Sequence, residues 1–395
     1  MRIDRREFLV KASGVVAGLA LTSTIGCRRA GEGPVSDGSA ATGFPFLEVA
    51  GRPYEVGLAI GRRFGEQVRE GIRRRQDWFD GLRRFMDQDP ATRMEPFVAA
   101  AERHFPWVME ELRGWADGAG LPLEDLLTLN LKAELAALRR GSTPETPGCS
   151  TLDFVRGERR WIAHNEDGHD TYHDLMFLVR VGQPGRPAFL CLTYPGILCG
   201  NGPAINEAGI AVTTNFIGGL DVRPGVPRYV LSRALLGAGS LDEALAIVTH
   251  PERAFAFHYN LGSRDEGKIL SVETSVESSS VQEVEGLYVH TNHLLHAGMA
   301  ETAQDAEYVE SSSMSRYRVL TREAQLLAGR LDEVGEETLV ELLSSHDGAP
   351  YSPCRHPAGE VRGATLGSAV IDVGTGELRL YHSNPCRGSS TRHTI

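Results

Sequence analysis

Between residues 44 and 140 apolar positions recur at helical intervals. Ile60, Phe64, Val68 and Ile72 fall every fourth residue and share one stripe, and Phe79, Leu82, Phe85 and Met86 extend the same kind of face. The pattern predicts helices that bury this stripe against a core. Pro106, Gly114, Gly118, Gly120 and Pro122 punctuate further helical pieces, of which the stretch from Leu123 to Leu138 is the most apolar. The stretch from Gly141 to Gly148 has two prolines and no periodicity, which predicts an exposed loop.

After that loop the texture changes. Short alternating or β-rich runs at 150–155, 161–165, 175–181, 188–192, 210–215, 287–291, 367–373 and 378–382 predict strands. Helices interrupt them: Ser240-Leu241-Asp242-Glu243 is a capping box opening a helix to about Val248, and 317–327 and 336–344 are also helical. Strands bunched with inserted helices predict an α+β fold of packed antiparallel sheets flanked by helices. There is no internal repeat, P-loop or dinucleotide fingerprint.

Composition narrows the partners. The formal charge of −11 argues against a nucleic-acid backbone, and the arginines at 73–75, 83 and 84 read as a solvated helix face. Residues 1–27 read as an address: Arg5-Arg6-Glu7-Phe8-Leu9 resembles a twin-arginine export signal, and the apolar stretch 15–25 falls short of the ~20 residues that span a bilayer. Thr24-Ile25-Gly26-Cys27 resembles a lipobox, which makes Cys27 a candidate lipid carrier and residues 28–43 a flexible tether. The expected location is periplasmic or at the cell envelope, with membrane contact only through that lipid. The remaining cysteines, Cys149, Cys191, Cys199, Cys354 and Cys386, show no CxxC spacing for zinc or redox work.

The chemistry gathers around Cys149. A turn centred on Glu158 would set Phe154 opposite Ile162 and Cys149 opposite Asp167. Cys149, Thr151, Asn165 and Asp167 would then share one face, and Leu152, Phe154 and Ile162 the other. A lone cysteine is mostly thiol near neutral pH and needs a base. Cutting the bond between Gly148 and Cys149 would supply one, because a free α-amine has an ordinary pKa of about 7.7–8.0.

Gly148-Cys149-Ser150-Thr151-Leu152, followed by Asn165-Glu166-Asp167, resembles the acyl-CoA:6-aminopenicillanic-acid acyltransferase family of N-terminal cysteine hydrolases. The likeness continues through 206–215, His290-Thr291-Asn292-His293, Cys354-Arg355 and 362–366. Glu166 stands where the penicillin acyltransferases have Trp, which brings the chain nearer the β-alanyl amine hydrolase pattern. The resemblance implies an N-terminal nucleophile αββα sandwich, cut between Gly148 and Cys149 into a helical chain (44–148) and a β-rich chain (149–395). It implies that Asp167 helps processing and orients the new amine, that Asn292 donates to the oxyanion with Asn215 as a second donor, and that Arg362 serves processing or substrate orientation. The expected substrate is a small-molecule amide, hydrolysed or passed to an amine, with no cofactor and no metal. Two rival readings differ in kind: a metal-dependent hydrolase built on His164, His169, His173, Asp167 and Asp170 or on His290 and His293, and a non-catalytic envelope lipoprotein.

Overall fold

The computed structural model describes residues 36–38, 43–139 and 148–395. The expected signal with Cys27, nearly all of the tether, and loop 141–147 lie outside the described residues. Among the described residues no helix is long and apolar enough to cross a membrane.

Two sheets form the centre. The nine-stranded sheet draws on β1 (Ser36–Gly38), β2 (Phe46–Ala50), β5 (Phe177–Gly182), β6 (Phe189–Thr193) and β7 (Ala204–Asn206). It continues through β8 (Ile210–Phe216), β9 (Phe257–Ser263), β10 (Lys268–Thr274) and β11 (Ser279–Glu283), in that spatial order. The six-stranded sheet uses β3 (Ser150–Arg156), β4 (Arg159–His169), β12 (Gly286–His290), β13 (Gly363–Asp372), β14 (Glu377–Tyr381) and β15 (Ser390–Thr394). Its order is β12-β3-β4-β13-β14-β15, and every pair in both sheets is antiparallel except β2 with β5. The expected helix from residue 44 therefore starts later, at Pro53, because 46–50 adds a parallel strand to β5.

Each sheet covers its outer face with helices. Phe64 of helix Pro53–Arg74 stacks on Phe177 of β5 at 3.7 Å, and Trp115 of helix Pro106–Ala119 meets the same ring edge-on at 6.3 Å. On the other side Leu152, Phe154, Ala163 and Val370 pack with Leu320, Leu339 and Leu343 of helices Met314–Leu327 and Glu336–Leu343. The layers are thus helix, sheet, sheet, helix, the αββα arrangement the family resemblance implied. Where β3 faces β8 and β9 the interior is polar: Thr151 donates to Asn215 Oδ1 at 3.0 Å, and Asn260 donates to Thr151 at 3.3 Å.

The hairpin that starts at Cys149 differs from expectation by one residue. Arg156 pairs with Arg159, so the turn is the two residues Gly157 and Glu158, with Gly157 at φ 62° as the first position of such a tight turn requires. Phe154 then faces Trp161, Thr151 faces His164 and Ser150 faces Asn165. A slip of one residue turns every side chain of the partner strand to the opposite face. Asn165 and Asp167 therefore do not share a face with Cys149; His164 and Glu166 do.

The two long helices against the nine-stranded sheet touch through glycine. A methyl group on Gly118 would lie 2.2 Å from the Leu58 carbonyl oxygen, and one on Gly57 would lie 1.9 Å from that of Glu111. Gly118→Ala should cost about 1–3 kcal/mol by forcing the helices apart. Gly81→Ala, whose methyl meets nothing closer than Arg139 Nη1 at 3.6 Å, should leave stability unchanged or raise it by about 0.5–1 kcal/mol. Urea midpoints for the two variants test this; an undiminished midpoint for Gly118→Ala contradicts the close approach.

Candidate active site

Cys149 stands immediately before β3 and is almost wholly buried. Its Sγ lies 3.8 Å from Glu166 Oε1, across the hairpin on the same face. Glu166 also accepts from the Tyr194 hydroxyl at 2.8 Å and sits 3.3 Å from His164 Nε2. His164 Nδ1 in turn meets Thr151 Oγ1 at 2.8 Å, and Thr151 reaches Asn215. One chain of contacts thus runs from the thiol to the facing sheet.

Burial, followed by the carboxylates of Glu166 and Asp167, pushes the Cys149 thiol well above its ordinary range. The backbone N–H of Asp167 and the charge of Arg316 pull the other way. In the continuous chain the sulfur therefore holds its proton. The Asp167 carboxyl is carried by burial up to about 7, against Arg355 and Arg316. Its Oδ1 accepts from Thr365 at 2.7 Å, while Oδ2 is buried with no partner.

Two arginines to which the sequence assigned no role flank the Gly148–Cys149 junction. Arg316 Nη1 donates to the Cys149 carbonyl at 2.5 Å and to Ser150 Oγ at 3.1 Å, and its Nη2 donates to Asn292 Oδ1 at 2.7 Å. Arg355 is fully buried; its three side-chain nitrogens make no hydrogen bond, and its guanidinium lies 5.7 Å from the centre of the Tyr351 ring. A methyl on Gly148 would come within 2.5 Å of Arg316 Nη2 and 3.1 Å of Arg355 Nη1. Residue 148 is glycine because two guanidinium groups occupy the space a side chain needs.

The other expected residues fall into three groups. Asn292 is tied to the site through Arg316, and its Nδ2 donates to the Phe216 carbonyl at 2.8 Å. Asn215 accepts at Oδ1 from Thr151, His258 and Asn260, while its Nδ2 is buried without a partner. Arg362 is not gathered in: its side chain is 55% exposed and its guanidinium pairs with Asp170 at 2.8 Å. Of the histidine and acid cluster of the rival metal reading, His169 Nδ1 and Asp170 Oδ1 stay together at 3.2 Å, while other members part. His164 and Asp167 point to opposite faces of β4, and Asp170 is taken up by Arg362; His290 bonds Glu273 at 2.9 Å, whereas His293 bonds Ser313 at 2.8 Å.

A pocket opens onto Cys149 and Glu166. Its walls carry Trp78, Tyr172, Tyr194, Phe216, Tyr229 and Phe257 together with the cations Arg75, Lys132 and Arg228. Burial, with Arg228 and Arg75 close by, brings the Lys132 ammonium down to about 7. No sequence signal marked Lys132, which sits on a short apolar helix, Lys132–Leu138.

The sequence matches the family described as acyl-coenzyme A:6-aminopenicillanic acid acyl-transferase over residues 155–387. An acyl-coenzyme A:6-aminopenicillanic-acid-acyltransferase of Emericella nidulans is 27% identical over 330 residues, covering 82% of this chain and 88% of that protein. The β-alanyl-dopamine/carcinine hydrolase of Drosophila melanogaster is 24% identical over 370 residues, covering 86% of this chain and 93% of that protein. Among solved structures, a mutant of conjugated bile acid hydrolase from Clostridium perfringens superposes with a TM-score of 0.47 at 10% identity, over 62% of this chain and 92% of that one. Penicillin V acylase from Agrobacterium tumefaciens gives a TM-score of 0.33 at 11% identity, over 59% and 82%. With more than half of its length matched, the chain belongs to the acyl-coenzyme A:6-aminopenicillanic acid acyl-transferase family and is an enzyme of the acyl-transferring and amide-hydrolysing class.

Proposed function

We propose that the chain cuts itself between Gly148 and Cys149 and then uses the freed Cys149 as the nucleophile of an amide hydrolase. The observation that carries this reading is the surround of that one bond: a buried thiol beside Glu166 on one side, and two buried guanidinium groups against Gly148 on the other. In the first step Sγ attacks the Gly148 carbonyl carbon and its proton passes to Glu166. The C–N bond then breaks, the Cys149 nitrogen takes up the proton, and Gly148 is held as a thioester. Water splits the thioester, leaving a Gly148 carboxylate and a free thiol and amine on Cys149. Arg355, whose nitrogens make no hydrogen bond, is placed to receive that carboxylate.

In the second reaction the α-amine of Cys149 serves as the base for its own sulfur, and the substrate acyl group passes to Sγ with release of the amine. Asn215 Nδ2 and Asn292 are the donors we assign to the oxyanion, a contribution typically of about 10²–10³ in rate. Water then completes hydrolysis. The aromatic walls favour an amide with a ring on one side of the scissile bond, in keeping with the relative named for β-alanyl-dopamine. Transfer of the acyl group to a second amine is the close alternative, decided by which nucleophile reaches the acyl-enzyme.

Two outcomes follow. Purified protein should run as two fragments, the larger beginning at Cys149, while Cys149→Ala stays continuous and loses hydrolysis of aryl-amine amides by ~10³-fold or more; an uncut parent, or an uncut variant that is still active, contradicts the proposal. The second concerns Asp167 in the uncut Cys149→Ala background. Its folded pKa of about 7 lies above the ordinary carboxyl value, so the native state keeps a proton that the unfolded chain gives up. The associated stability is full below about pH 4 and is lost as pH rises toward 7. Adding Asp167→Asn removes this titration, so the melting temperature of the double variant relative to Cys149→Ala should climb from pH 4 to pH 7. A difference that stays flat across that window contradicts the protonated state.

A further inference from the structure

Away from the pocket, four metal-ligating side chains converge at one point. His346 follows helix Glu336–Leu343, Cys354 and His356 lie in the irregular segment before β13, and Cys386 belongs to the short turn Pro385–Arg387 after β14. His346 Nε2 and His356 Nε2 are 3.2 Å apart. Cys354 Sγ lies 3.7 Å and Cys386 Sγ 3.6 Å from His356 Nε2, and the four ligand atoms all fall within 4.8 Å of one another.

We propose that His346, Cys354, His356 and Cys386 bind a single zinc ion as a closed structural site. Zinc takes sulfur at about 2.3 Å and nitrogen at about 2.0–2.1 Å, so a tetrahedron around it has edges of about 3.3–3.8 Å. The three separations, 3.2 Å between nitrogens and 3.6 and 3.7 Å between sulfur and nitrogen, match those edges to within about 0.2 Å. An iron–sulfur cluster shares its ligands among several metal atoms and spreads them more widely than this. Calcium and magnesium prefer oxygen, whereas two thiolates and two imidazoles suit zinc and leave the site neutral.

The surroundings support one of the sulfurs. Asn384 Nδ2 donates to Cys354 Sγ at 3.3 Å and to the Arg355 carbonyl at 2.7 Å, the kind of outer contact that orients a metal-bound thiolate. Burial, with Cys386 close by, holds the Cys354 thiol up at about 12 against that hydrogen bond. A divalent cation reverses the balance: two S–Zn bonds form and two thiol protons leave to solvent. The ion would tie the segment before β13 to the turn after β14. Arg355, between two of the ligands in sequence, would thereby be fixed at the Gly148 junction. Four protein ligands leave no open position for water, so the ion takes no part in the amide chemistry. This site stands whether or not the chain proves to cut itself.

Metal analysis of the tag-free full chain, kept reduced and dialysed after zinc loading, should find one zinc per chain. Cobalt replacement should give the charge-transfer and ligand-field bands of a tetrahedral thiolate site. His346→Ala and Cys386→Ser change exposed ligands and should spare the fold. Each should weaken zinc binding by more than the roughly 10- to 100-fold typical of a residue that only supports a ligand. A folded chain that takes up no zinc on titration, variants that hold it as tightly as the parent, or a Cys354–Cys386 disulfide in protein isolated directly from cells would each overturn the proposal.

Discussion

The backbone pairing of β3 with β4, closed by Gly157 and Glu158, is the constraint from which the rest of the site follows. It decides which of two alternating sets of side chains accompanies Cys149. With Ser150 opposite Asn165, the thiol is set beside Glu166 and His164 on the inner face, while Asn165 turns outward to Ser368 and the carbonyls of Leu343 and Pro353. The outward set locks β4 to the neighbouring strand and to the helical layer. The inward set faces the other sheet across a buried polar layer, where each unpaired donor costs about 1–3 kcal/mol and position is correspondingly strict. His258 stacks on His290 at 3.4 Å in that layer, and burial keeps its ring well below the ordinary histidine range.

Charge is the second organising quantity. The carboxyls of Glu166 and Asp167 and the guanidinium groups of Arg316 and Arg355 are all buried around the junction. A buried guanidinium that makes no hydrogen bond is costly, and Arg355 is held so beside Gly148, offset only by the Tyr351 ring at 5.7 Å and the nearby Asp167 carboxyl. A carboxylate formed at Gly148 would relieve it.

Much of this was legible in the sequence, and the failures have physical causes. The helical stripe of Ile60, Phe64 and Val68 and the strand at 210–215 were readable because one period and one buried face produced them. The family was readable because Gly148-Cys149-Ser150-Thr151-Leu152 and the motifs that follow resemble its pattern, and the match over residues 155–387 agrees. The hairpin register was not, since a two-residue and a three-residue turn at Gly157 both give apolar pairs, and only the turn geometry separates them. Strands β9 and β10 were passed over: His258, Asn260, Ser271 and Glu273 look like a solvent face but are buried between the sheets. The roles of Arg316 and Arg355 escaped for the same reason, since a long cationic side chain usually marks a surface. The four ligands at 346, 354, 356 and 386 carry no recognisable spacing, because only the turns after β14 and before β13 bring them together.

The central claim is that one sulfur, that of Cys149, carries the substrate's acyl group. Rapid acid quenching of the enzyme with a slowly hydrolysed aryl amide, followed by peptide mass analysis, tests it directly. The account predicts a transient mass increase equal to the acyl group on a peptide that begins with Cys149, labile to hydroxylamine as a thioester is. An acyl adduct on any other residue, or turnover with no covalent adduct at all, would contradict it.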